Sequence, residues 1–168
     1  ESTRPGHEQI TEEEEIQRVV PVIEAVKARI DVPVSVDTYK SRVAEAALKA
    51  GADLVNDIWG LKYDSRMAAL IAETGAACCL MHNKEKAEYE EFYQDMLRET
   101  EACVKIAREA GSPDNKIILD PGIGFGKTYA MNLETLHYME RFHTFGYPML
   151  LGTSRKSVIG LTLNLPAD

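Results

Sequence analysis

The chain has 168 residues, 45% of them apolar and 27% charged, with a formal net charge of −8. These totals suit one globular domain with an ample core, and they exclude wholesale binding to nucleic acid or to an anionic membrane surface, although local N–H groups and a few lysines can still hold a small anion. No apolar run is long enough to span a bilayer.

Residues 1–6, ESTRPG, have turn chemistry without periodicity and read as a loop following a strand that precedes the chain. Thr11 with Glu14 matches a capping box, and Ile16, Val19, Val20, Ile23 and Val26 form the apolar stripe of the helix it opens. Pro21 inside that stripe predicts a kink or a late start. The acidic runs at 12–15 and 85–91 read as solvated helix starts and faces. Strands are expected near residues 32–37, 53–58, 77–82, 117–120 and 148–152, each with a helical pattern after it. The helices are expected at 41–50, after Asp64 and ending at Gly75, from about Tyr89 to Ala110, after Asn132, and, truncated, at the end of the chain. Cys78, Cys79 and Cys103 are an odd set without metal spacing, as expected of reduced core thiols in a reducing, cytoplasmic compartment.

The most informative stretch is residues 116–128, KIILDPGIGFGKT. A short β-branched run ends in Asp120, and Pro121 then opens a turn in which Gly122, Gly124 and Gly126 allow positive φ or close approach of a ligand. Residues 126–128 imitate the tail of a nucleotide P-loop. That reading fails because the motif needs a glycine where Pro121 stands and because residues 129–131 intervene before the cap expected at Asn132.

Strand and helix alternate without any composition shift that would mark a second domain, so residues 1–168 read as one α/β domain. Periodicity does not separate a doubly wound sheet from a (β/α)8 barrel; polar residues at the end of every strand favour the barrel. Parallel strands would bring Asp37, Asn56, Asp120 and Lys156 to one rim, together with Met81 and Phe125. Asn56 offers a donor and an acceptor and Asp120 only acceptors, which suits the polar edge of a planar heterocycle. Met81 and Phe125 fit either its faces or plain core. Residues 152–156, with Ser154 and Lys156 at a helix start, suit an anionic group, but by themselves describe a capped helix with solvated cations. His82 has no assigned task, and His7, His137 and His143 show no metal-ligand spacing.

Taken together, ESTRPG, SVDT at 35–38, Asn56-Asp57-Ile58, LMH at 80–82, LDPGIGFGK at 119–127 and LLGTSRK at 150–156 closely resemble the dihydropteroate synthase family. The resemblance implies a partial (β/α)8 barrel, truncated at both ends, lacking its first two strands and its last. It also implies condensation of 6-hydroxymethyl-7,8-dihydropterin diphosphate with p-aminobenzoate, giving 7,8-dihydropteroate and pyrophosphate. Carried over by motif, Asp37 and Lys156 would be catalytic. Asp37, Asn56, Ile58, Met81, Asp120, Phe125, Gly152 and Lys156 would hold the pterin. Thr3, Arg4, Pro5, Phe125, Ser154 and Lys156 would hold p-aminobenzoate. A magnesium ion would be bound by a ligand outside this chain, the full-length protein would be a homodimer, and the fragment alone would be inactive. Two alternatives share the pterin site: a methyltransferase domain passing a methyl group from methyltetrahydrofolate to a corrinoid, and a non-catalytic pterin-binding module.

Overall fold

Apolar runs and amphipathic stretches fold in strict alternation in a computed structural model that describes residues 2–3 and 8–165. Helix α1 (Glu12–Lys27) leads to strand β1 (Ser35–Asp37). The order continues with α2 (Ser41–Lys49), β2 (Leu54–Asp57), α3 (Met67–Thr74), β3 (Ala77–Met81), α4 (Phe92–Ala110), β4 (Ile117–Asp120), α5 (Tyr129–His137) and α6 (Ser157–Leu163), with 3-10 helices at Asp114–Lys116 and Met139–Phe145. The strands make one parallel sheet in the order β1-β2-β3-β4. Among the described residues no helix is long and apolar enough to cross a membrane.

The register decides which side chains meet. Val36, Val55, Cys78 and Ile117 stand in one row, and Asp37, Asn56, Cys79 and Ile118 in the next. Because side chains alternate along a strand, Val36, Val55, Cys78, Leu80, Ile117 and Leu119 share one face, and Asp37, Asn56, Cys79, Met81 and Asp120 share the other. The first face packs on the helices, in a core with Ala44, Ala47, Met67, Ile71, Val104 and Ala107. Each large side chain buried there contributes roughly 1.5–3 kcal/mol. This core holds the sheet rigid, so the opposite face is free to carry polar groups.

Several expected boundaries shift, for local reasons. β1 begins at Ser35 rather than residue 32, because Pro33 lacks an N–H and the Asp53 carboxylate takes the Val34 N–H at 2.8 Å in place of a ladder bond. The strand expected at 148–152 is a single parallel bridge between Leu119 and Met149, with two backbone hydrogen bonds of 2.9 Å, and Pro148 has no donor to extend it. α1 starts early, at Glu12, and continues past Pro21, since the Thr11 hydroxyl accepts from Glu14 N and four glutamates favour the positive end of the helix dipole. The reciprocal half of the capping box is absent, as the Glu14 carboxylate turns to Arg18. Glu15 is not solvated: it is buried and paired with Lys40 at 2.9 Å.

α4 begins at Phe92, three residues late, which leaves Tyr89 in a loop where its hydroxyl donates to Gly126 O at 2.7 Å. α5 begins at Tyr129 under a Thr128 cap, not after Asn132. Asn132 lies buried within the first turns, with Oδ1 accepting from Gly124 N at 2.7 Å and Nδ2 donating to Thr128 O at 2.8 Å. One argument against a P-loop, the intervening residues, therefore fails, while the one from Pro121 stands. α6 ends within the described residues, at Leu163, where Asn164 takes a left-handed conformation.

Candidate active site

Asp37, Asn56 and Asp120 lie on the face of the sheet turned away from the helices, at or next to the carboxyl ends of their strands. Asp37 and Asn56 are direct neighbours in register, and the Asn56 side chain favours the charged form of the Asp37 carboxyl. The Thr3 hydroxyl donates to Asp37 Oδ2 at 3.1 Å. Asp37 is exposed on its outer side, yet partial desolvation of its carboxyl raises its pKa above the ordinary carboxylate range, against the Thr3 bond. The Asn56 side-chain oxygen is buried and has no hydrogen-bond partner among the described residues.

Asp120 is buried, 6% exposed, and its Oδ1 accepts from Gly122 N at 2.7 Å. Burial again raises the carboxyl pKa, opposed by the Gly122 bond and then by the charges of Lys127 and Lys156. Among the described residues none donates a hydrogen bond to Oδ2, which faces Gly152, where a Cβ would stand 3.8 Å away. Acceptors from β1, β2 and β4 thus converge, and such a row reads N–H groups on the edge of a flat ring.

Ile58, Met81 and Tyr39 form a buried cluster, and Trp59 and Phe125 pack against it. Lys156 lies over the Phe125 ring, with Nζ 4.0 Å from its centroid. Its stem passes close to Gly124, where a Cβ would sit 3.1 Å from Lys156 Cδ. Ser154 is exposed on the turn before Lys156. Arg4 and Pro5 lie outside the described residues.

Sequence reasoning passed over two features. Asp57, next to Asn56, points to the helix side, fully buried, and accepts from Trp59 N at 2.8 Å and Leu61 N at 2.9 Å. Burial pushes its pKa up to about 6, yet it anchors a turn and does not face the pocket. The second is a polar chain behind the glycine loop. His82 Nε2 meets Glu99 Oε2 at 2.9 Å, and Lys127 Nζ meets His82 Nδ1 at 2.9 Å. Burial and the nearby Lys127 hold the imidazole pKa down to about 2, so His82 is neutral and its contact with Glu99 is a hydrogen bond rather than an ion pair. A lysine donating to Nδ1 puts the imidazole proton on Nε2, toward Glu99. The signal available in the sequence was Lys127 closing the glycine run, but its partner lies 45 positions earlier.

A family profile described as pterin binding enzyme matches residues 1–168. The chain belongs to the pterin-binding enzyme family. Within that family it is 58% identical over its whole length to dihydropteroate synthase of Clostridium beijerinckii, covering 62% of that protein, and 52% identical to dihydropteroate synthase of Bacillus subtilis, covering 59%. It therefore spans about three-fifths of the length of these curated relatives. Among solved structures, dihydropteroate synthase from Clostridium difficile, determined in the presence of pteroic acid, superimposes on 99% of this chain with a TM-score of 0.96 at 45% identity, 64% of that chain being covered. Dihydropteroate synthase of Xanthomonas albilineans, bound to 4-aminobenzoic acid, gives a TM-score of 0.93 at 37% identity, with 98% of this chain and 60% of that one covered. The four parallel strands and their helices are thus part of a (β/α)8 barrel of the pterin-binding type.

Proposed function

We propose that the intact protein is a dihydropteroate synthase and that this segment supplies its pterin site. The observation that carries the reading is the partnerless Asn56 oxygen, buried beside Asp37 on the face that also presents the Asp120 carboxylate. A buried acceptor without a donor costs about 1–3 kcal/mol, and a pterin N–H would offset that cost. In this reading Asp120 accepts from the ring N–H and the exocyclic amine, and Asn56 serves the adjacent edge. Ile58, Met81 and Phe125 enclose the ring, while Gly152 leaves room beside Asp120. Pteroic acid in the Clostridium difficile enzyme and 4-aminobenzoic acid in the Xanthomonas albilineans enzyme support the two halves of the substrate assignment.

The arylamine nitrogen would attack the exocyclic methylene of the pterin diphosphate, forming the C–N bond as the C–O bond breaks. Pyrophosphate leaves with the bonding pair, and the amine loses a proton. Asp37 would stabilise the positive charge that develops on the pterin. Lys156, packed on Phe125, would touch both substrates, and Ser154, with Thr3, Arg4 and Pro5, would serve p-aminobenzoate. The resemblance places the magnesium ligand outside this chain; among the described residues no group of three or more His, Cys, Asp and Glu is placed to hold a metal ion, and no step here depends on one. A cytoplasmic location agrees with three buried free thiols. The implied homodimer is tested by sedimentation of the intact protein.

The deciding experiment is pyrophosphate release by the intact protein with the pterin diphosphate and p-aminobenzoate. Pyrophosphate should appear only when both substrates are present. Pterin binding without release would refute the synthase assignment while leaving the pterin site standing.

A further inference from the structure

The loop at 121–126 joins Asp120 to Lys127 and passes beside Lys156, yet its three glycines, all at positive φ, make it an intrinsically loose segment. Something must hold it, and the largest share falls to Lys127. Its Nζ lies 3.0 Å from Gly122 O, 3.1 Å from Phe125 O and 2.9 Å from His82 Nδ1, with His82 O a longer fourth contact at 3.4 Å, so all three ammonium hydrogens have acceptors. His82 is fixed in turn by Glu99, whose other carboxylate oxygen pairs with Lys84 at 2.9 Å. Gly122 and Phe125, the two residues whose carbonyls Lys127 takes, both also meet site groups. The Gly122 N–H orients Asp120, and the Phe125 ring supports Lys156.

We propose that Lys127 is a positioning residue for pterin binding: its ammonium, held by the His82–Glu99–Lys84 chain, clamps the carbonyls of Gly122 and Phe125 and thereby sets Asp120 and the Phe125 ring against the ligand. This inference rests on the pterin reading of the site. It gives the chain behind the loop a task that neither substrate contact nor core packing supplies.

The clamp depends on protonation. Burial depresses the Lys127 pKa to about 7, with Asp120 on β4 and Glu99 on α4 favouring the charged form, and Lys62 after β2 and Lys156 before α6 opposing it. His82, after β3, faces it as a neutral acceptor. As pH rises through that value the amine keeps two hydrogens, too few for the three short contacts, and the loop loses one of its ties. Pterin affinity should therefore decline above about pH 7 by a route that disappears when Lys127 is replaced.

The test is calorimetric titration of the intact protein with pteroic acid across the neutral pH range, for wild type, Lys127→Met and Glu99→Gln. The three proteins share the ligand's own titration, so differences between them isolate Lys127. Lys127→Met should weaken binding by about tenfold or more on the acid side of neutrality, and the gap should narrow at higher pH. Glu99→Gln, whose amide oxygen can still accept from His82, should bring the decline in affinity to a lower pH than in wild type, since a charge that supports the ammonium is gone. A folded Lys127→Met protein with wild-type affinity would overturn the inference. If that variant does not fold, an unshifted pH profile in Glu99→Gln overturns it instead. Failure of the wild type to bind pteroic acid would sink the pterin reading itself, and this inference with it.

Discussion

Replacing Asp120 by Asn separates folding from binding, because the two carboxylate oxygens face different partners. Oδ1 accepts from Gly122 N at 2.7 Å, and the amide oxygen of Asn would take over that bond. The opposite orientation would point the amide NH2 at the Gly122 N–H. The NH2 therefore replaces Oδ2, on the side facing Gly152 and the pocket. The fold should lose little, within about 1 kcal/mol, since the Gly122 bond survives and a charge that burial disfavours is removed. Pterin binding should lose a charge-assisted acceptor and gain an unpaired donor facing a donor, together about 3 kcal/mol or more, roughly a hundredfold or more in Kd. Calorimetry with pteroic acid and denaturant unfolding on the intact protein measure the two quantities. A folded Asp120→Asn protein with unchanged pteroic acid affinity would refute the assignment of Asp120 as the acceptor.

Three further outcomes follow from the same geometry. Gly122→Ala should not yield a native loop: φ is +71°, and a Cβ would stand 2.0 Å from the His82 carbonyl oxygen, a backbone atom. Circular dichroism and thermal unfolding matching wild type would contradict that packing. Lys156→Ala should cut turnover by orders of magnitude and weaken p-aminobenzoate capture while pteridine-ring binding persists, since Asp120 and Asn56 remain; normal steady-state turnover would remove Lys156 from the mechanism. For His82, the unfolded chain takes up a proton below about pH 6.5 while the folded state stays neutral down to about pH 2, so the stabilisation is complete above about 6.5 and is lost as pH falls. The difference in unfolding free energy between wild type and His82→Gln should change by up to about 1.4 kcal/mol per pH unit in that window. Asp57, with its raised pKa, pulls the wild-type curve the other way, but it is common to both proteins and cancels. Parallel curves would mean that His82 is not buried neutral.

Local chemistry determines a good part of this protein from the sequence alone. Thr11 opening α1, Gly75 and Gly111 closing α3 and α4, and the apolar runs of β2 to β4 are short-range signals that need only neighbouring residues. The polar strand ends and the LDPGIGFGK and GTSRK motifs likewise point to a pterin site without coordinates, and the strand ends do meet on one face. What only the tertiary structure decides depends on distant partners. Asn56 and Asp57 look equivalent in sequence, but register gives Asn56 to the pocket and Asp57 to the helix side. Thr128 and Asn132 are both acceptable caps, and the choice goes to Thr128 because Asn132 is needed to hold Gly124 N. Glu15 looks solvated until Lys40 arrives from 25 positions away, and Lys127 looks like a phosphate-loop lysine until His82 arrives from 45. A buried charge or a shared hydrogen is settled by whichever groups the fold delivers to it, and that delivery is a property of chain packing rather than of any local run of residues.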